Sequence, residues 1–124
     1  MFDYKIKATF SKSVHLALHN PTSQYVALKQ ISADKYSDED FKIICEEIKR
    51  ILSFDHDNII KIHSVFVQNL DINVVYPFYC FGSCKEAMKN FFFTGFPEKI
   101  CALIIKDVLI ALDYLHNKSK IIHR

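Results

Sequence analysis

Two side chains in this sequence are placed for work on a phosphate. Lys29 closes the segment Val26-Ala27-Leu28-Lys29, and Glu47 follows in a stretch patterned as a helix. A lysine on a rigid strand, braced by a carboxylate from a packed helix, holds positive charge where a nucleotide phosphate can meet it. Ala27 shares the face of Lys29 and is small enough to let a flat ring lie against the strand. Taken alone, each residue has a plainer reading, Lys29 as a solvated strand residue and Glu47 as a surface charge. Other chemistry is thinner. Cys80, Cys84 and a histidine could hold zinc, but no C-x-x-C spacing supports it. His123 and Arg124 alone do not make a catalytic site.

The elements that must position Lys29 and Glu47 are legible in outline. Val14, Leu16 and Leu18 alternate with His15, Ala17 and His19, which predicts a strand. Asn20-Pro21-Thr22-Ser23 supplies turn chemistry, and Tyr25 to Ile31 reads as a second strand, so the two form a hairpin. Ala27, Lys29 and Ile31 share one face of it, Val26 and Leu28 the other. A helix then starts at Ser37, a good N-cap, with Asp40 at the capping-box position. Phe41, Ile44, Cys45, Ile48, Ile51 and Leu52 form its buried stripe. At about 100° per residue, Glu46 points away from that stripe and Glu47 lies on its flank.

Two more strands are expected, over Ile59 to Val67 and Ile72 to Tyr76, with Gln68-Asn69-Leu70-Asp71 as the turn. Pro77 ends the second. A short helix spans Cys84 to Asn90. A long one begins with Pro97 in its first turn and runs to about Asn117, burying Cys101, Ile104, Ile105, Val108, Leu112 and Leu115. Strands around one helix, followed by helices, make an α+β domain.

Composition narrows the function classes. Average glycine usage of about 7% would give roughly nine in a chain this size; the 124 residues contain two, Gly82 and Gly95. That excludes a glycine-rich phosphate loop. The net charge of +2 comes from dispersed lysines, so no basic stripe is offered to nucleic acid. The stretch 100–115 is broken by Lys106, Asp107 and Asp113 and is too short to span a bilayer. Met1-Phe2-Asp3-Tyr4-Lys5 does not read as a signal peptide, and the four cysteines are expected as reduced thiols in the cytosol.

Val26-Ala27-Leu28-Lys29 resembles the V-A-I-K strand of the protein-kinase family, and Glu47 the glutamate of its C-helix. Glu47-Ile48 through His56-Asp57-Asn58-Ile59 is similar to the family's stretch ending in H-P-N-I, with aspartate for proline. Tyr79 to Ser83 is similar to the hinge and the G-S after it. Leu112-Asp113-Tyr114-Leu115-His116 and Ile121-Ile122-His123-Arg124 resemble the end of the E-helix and the start of H-R-D. The resemblance implies a kinase-like N-lobe over 1–76, an antiparallel sheet plus the C-helix. A hinge follows at 77–83, then the start of an incomplete C-lobe at 84–124. It implies ATP as ligand, bound by Val14, Ala27, Lys29, Glu47, the gatekeeper Tyr76, and the backbone of Phe78 and Tyr79.

The departures from the family pattern are specific. Counting back from Val14, the glycine positions fall on Lys7, Thr9 and Lys12, whose side chains obstruct the close backbone approach that phosphates need. Lys7 and Lys12 could instead attract phosphates as point charges. Tyr76 narrows the back of an adenine pocket, and Pro77 replaces the usual acidic hinge residue. The sequence ends before the family's catalytic aspartate, metal-binding asparagine and D-F-G, so no catalytic or metal residue is assigned, and ATP binding that requires no metal is the expectation.

Several stretches resemble the sterile-twenty-related pseudokinase adaptors, the STRAD branch. Asn20-Pro21-Thr22-Ser23-Gln24-Tyr25-Val26 is similar to K-P-T-G-E-Y-V, and Phe81-Gly82-Ser83-Cys84-Lys85-Glu86 to Y-G-S-A-K-D. Phe91 to Glu98 is similar to H-F-x-x-G-x-x-E, and Val108-Leu109-Ile110-Ala111-Leu112-Asp113-Tyr114 to V-L-K-A-L-D-Y. Lys29 points the other way, toward an active sterile-twenty-group serine/threonine kinase, the alternative. The adaptor resemblance implies ATP bound without phosphoryl transfer. It also implies allosteric activation of a serine/threonine kinase of the liver-kinase-B type, together with an armadillo-like scaffold. Neither nucleic acid nor membrane is implied as a partner. The compartment implied is the cytoplasm, with the nucleus left open.

Overall fold

The computed structural model describes residues 3–123. They fall into two compact units, one reaching Phe54 and resuming over Ile60–Phe78, the other made of Asp55–Ile59 and the residues from Tyr79 onward. Arg124, which the sequence pattern assigns to H-R-D, lies outside the described residues.

The first unit is an antiparallel sheet with one long helix. Strands β1 (Tyr4–Ser11), β2 (Val14–His19), β3 (Gln24–Ser32), β4 (Ser64–Gln68) and β5 (Asp71–Pro77) lie in the order β1-β2-β3-β5-β4. The expected turns join them. Asn69 and Leu70 both take positive φ, 51° and 66°, the backbone twist a two-residue hairpin connection demands. Register places Val14 and Val74 on either side of Lys29, and Leu16 and Tyr76 on either side of Ala27.

The sheet is packed on both faces. One carries Ala17, Val26, Leu28 and Val75, with Tyr4 and Phe66 against them. The other carries Ile31, Ile72 and Val74, covered by Ile48 of helix α1 (Asp38–Leu52) with Phe41, Ile44 and Cys45 around it. The division of β3 into an Ala27-Lys29-Ile31 face and a Val26-Leu28 face is thus the observed one. Tyr4 stacks on Phe66 with ring centroids 5.4 Å apart, and its hydroxyl lies 3.1 Å from Ser64 Oγ, so β1 is tied to β4.

Helix α1 starts where expected, with Ser37 Oγ accepting from the Asp40 backbone N–H at 3.1 Å. The box is only half made, because the Asp40 carboxylate accepts from the Ser37 hydroxyl rather than from the cap's backbone. Ile48 is buried as expected, whereas Leu52, at the helix end, stays 49% exposed.

One strand expectation needs correction, and one strand is unexpected. Strand β1 occupies positions for which no element is predicted; Lys7 and Thr9 lie inside it and Lys12 in the tight turn that follows. The strand expected from Ile59 begins only at Ser64. The Ile59 N–H donates to the His56 carbonyl in a turn, and pairing resumes with His63 N–H on the Val75 carbonyl at 2.8 Å.

The second unit is helical. Helix α2 (Cys84–Phe91) opens with a complete capping box, in which Ser83 Oγ accepts from Glu86 N–H and Glu86 accepts from Ser83 N–H at 2.7 Å. Helix α3 (Glu98–Asp113) is capped by Pro97 and ends in a turn of π-helix, Tyr114–Lys118. The segment Asp55–Ile59 docks on it. Asp55 N–H donates to the Tyr114 hydroxyl at 3.0 Å, and Asn58 Nδ2 to the Asp107 carbonyl at 3.0 Å. The expected α3 stripe is only partly covered. Of that stripe Leu115 is buried, as is Ala111 outside it, but Ile105 and Val108 remain 56% and 50% exposed, because α3 is apolar around most of its circumference and its own unit covers one side. Among the described residues no helix is long and apolar enough to cross a membrane.

Candidate functional site

Lys29 reaches its place through strand pairing. With Val14 on one side and Val74 on the other, its backbone is held between two ladders while its side chain remains exposed. Glu47 reaches its place through helix phase. It precedes the buried Ile48, so it sits beside the packed stripe of α1 and not within it. Both line one cavity of about 160 Å³, walled by Ile31, Ile44, Ile48 and Tyr76. Against the apolar wall the polar groups are the Glu47 carboxylate, the Lys29 ammonium and the phenols of Tyr36 and Tyr76.

Tyr76 ends the row that starts at Leu16 and crosses Ala27. It closes the cavity on the sheet side, and burial raises its phenol above the ordinary tyrosine value. The group therefore stays protonated and can donate a hydrogen bond across the whole pH range near neutrality. Ala27 and Val14 are half-buried beside it, giving a smooth floor along β2 and β3.

The remaining expected site residues separate. Phe78, just past β5, stacks on Phe10 of β1 with centroids 6.0 Å apart and planes 8° from parallel. Tyr79 belongs to the second unit, where its carbonyl accepts from Gly82 N–H at 3.2 Å. Thus Lys29, Glu47 and Tyr76 are gathered on one cavity, Val14 and Ala27 on the adjoining floor, and Phe78 in an aromatic pair. Gly82, at φ 71°, makes a turn that only glycine fits easily, since a Cβ there would meet the Glu86 carboxylate.

Sequence reasoning misses Phe10 and Tyr36. For Phe10 the signal is present: Tyr4, Ile6, Ala8 and Phe10 alternate with polar residues up to the turn. Tyr36, between the short helical turn Ala33–Lys35 and the cap of α1, carries no pattern. The zinc alternative is not assembled, since among the described residues no three His, Cys, Asp or Glu side chains gather, and Cys80 and Cys84 are exposed.

Comparison with known proteins adds an independent finding. A sequence model of the family described as Protein kinase domain matches residues 9–124. The STE20-related kinase adapter protein alpha of Homo sapiens is 32% identical over 112 residues, covering 90% of this chain and 26% of its own length. Its Mus musculus counterpart matches to the same degree, 32% over 112 residues. The serine/threonine-protein kinase fray2 of Dictyostelium discoideum is 32% identical over 125 residues, covering 98% of this chain and 12% of its own length. The chain therefore spans about a quarter or less of these relatives.

Proposed function

The chain belongs to the protein kinase domain family, and we propose that within it the chain serves a pseudokinase adaptor. The adaptor binds ATP without transferring its phosphoryl group. It activates a partner serine/threonine kinase of the liver-kinase-B type by binding it, together with an armadillo-like scaffold. One observation supports the ligand part of this reading most. Lys29 and Glu47 face a common cavity, while the hairpin ahead of them is two strands joined by a tight turn with no glycine. The donor set present suits a base on the Leu16–Ala27 floor and a single phosphate contact at Lys29, but not a backbone cradle for three phosphates.

In this reading Lys29 holds a phosphate oxygen by charge, and Glu47 limits where the ammonium can swing. Ala27 and Val14 accept the flat base, and Tyr76 shuts off the space behind it. ATP, when bound, supplies binding energy that favours one conformation of the domain; the partner recognises that conformation. A differential affinity of this kind is all that allosteric activation requires.

A thermal-shift titration tests the reading. Millimolar ATP should raise the melting temperature, with the shift persisting in the presence of a magnesium chelator. No shift at that concentration overturns the nucleotide part. The match to fray2 along 98% of the chain, together with Lys29, favours a second reading, an active sterile-twenty-group kinase. Magnesium-dependent transfer of labelled phosphate to a peptide by the protein would select it over the adaptor.

A further inference from the structure

The two edges of the sheet are protected to different degrees. Strand β1, at one edge, carries Lys5 and Lys7 and is broken by register shifts between Ile6 and Ala8 and between Thr9 and Ser11. Lysines and irregular pairing keep an edge from accepting another strand. Strand β4, at the other edge, has neither. Its sequence, Ser64-Val65-Phe66-Val67-Gln68, holds no charged residue and no proline, and it pairs with β5 in unbroken register. Among the described residues no strand lies on its outer side. The tight turn at Asn69 and Leu70 fixes which backbone groups are left over. Gln68 and Asp71 close the hairpin as a bonded pair, so Phe66 bonds to Asn73, and the N–H and C=O groups of Val65 and Val67 point outward. The Val67 side chain is 71% exposed as well.

We propose that β4 is a dimerisation edge, which takes the β4 strand of a second copy of this chain in antiparallel pairing about Phe66. A twofold interface must be complementary to itself, and the strand meets that demand because its centre, Val65-Phe66-Val67, reads the same in both directions. With the axis at Phe66, Val65 of one copy lies opposite Val67 of the other, and each such pair exchanges both of its bonds. The outward groups therefore find partners without any change in either sheet. A slip of one residue would set outward groups against inward ones and lose those bonds. The side chains agree with the backbone. Val65 packs beside Ile72 and Val74, so an opposing Val67 carries that apolar face on across the axis. On the other face the two Phe66 rings meet as a non-bonded pair, where side chains come closest, beside Tyr4. No residue of β4 lines the Lys29–Glu47 cavity, so the inference stands apart from the nucleotide reading.

Amide hydrogen exchange on the purified chain tests this at single residues. Raising the concentration from about 10 μM to about 500 μM should slow exchange at Val65 and Val67 by about tenfold or more. The Phe66 amide, already bonded to β5, should not respond. Association through the exposed face of α3 would leave Val65 and Val67 unprotected, so the readout assigns the surface. Val67→Pro removes an outward N–H from an edge strand, where proline is tolerated, and should move the protection of Val65 to about tenfold higher concentration. Val67→Lys sets a charge on each side of the axis and should do the same, which keeps the test decisive if the proline variant does not fold. Free exchange of Val65 and Val67 at every concentration overturns the dimer edge. Protection of Val65 that is unchanged in Val67→Lys overturns it equally.

Discussion

Helices α1 and α3 both carry many apolar side chains and meet opposite fates. In α1 most apolar side chains form one stripe, which covers Ile31, Ile72 and Val74 of the sheet, while charged residues fill the rest apart from Ile43. In α3 they surround the helix, and Leu103, Ile105, Leu109 and Ile110 remain 43–62% exposed after its own unit has packed. A stripe is a statement about one neighbour; apolar residues all round are a statement about several. Both units leave single apolar side chains exposed, but the strand unit closes a core on each face of its sheet, whereas α3 displays a run of apolar surface of the kind that proteins ordinarily bury.

The sharpest way to break this contrast is to truncate one leucine in each region. Leu28, fully buried, should cost about 2–5 kcal/mol when changed to alanine. Leu109, 58% exposed, should cost no more than about 0.5 kcal/mol. Denaturant unfolding of both variants reads the difference, and equal losses would erase the contrast. A smaller effect concerns association. The chain should self-associate at micromolar concentration through α3, and the double change Leu103→Lys with Leu109→Lys should shift it toward monomer in sedimentation velocity. A monodisperse unaltered chain would mean that α3 is better covered than its exposure indicates.

The smallest effect separates the caps of the two regions. Hydrogen bonds from the backbone N–H and hydroxyl of Ser83 hold the Glu86 carboxyl below the usual carboxylate range. A carboxylate depressed in the folded state stabilises above its unfolded pKa and loses that contribution as pH falls through the folded value. Amide chemical shifts of α2 should therefore report fraying as pH drops below the ordinary glutamate value, and Glu86→Gln should remove that dependence. Persistence of the fraying curve in the Gln variant would assign it to another group.

Most of the first unit can be read from the chain because its signals are local. Ser37 and the 3.6-residue stripe mark α1, and alternation marks β2 and β3 with the face of Lys29 assigned correctly. β5 is legible as a run and not as an alternation, since Ile72 to Val75 are buried on both sides. What cannot be read depends on partners distant in sequence. Phe10 becomes half of an aromatic pair only because a ring just past β5 comes to meet it. Glu47 can be placed on the flank of α1, but the cavity it shares with Lys29 exists only after the helix has docked. The exposed half of α3 illustrates the same limit, for periodicity reports which residues are apolar and not how many neighbours arrive.

The contact of Tyr4 with Ser64 and Phe66 has a kinetic meaning. It joins residues separated by 60 positions, and everything between them must already be in order for the two to meet. Closing so long a loop carries an entropic cost that hairpin contacts do not. The β1-β2 and β4-β5 hairpins should consequently form early and dissolve late, with Tyr4 acting as the latch that engages last and opens first. Both outer strands keep an unpaired outer edge whether or not it is engaged. What this one tyrosine governs is how firmly the two edges are held to one another.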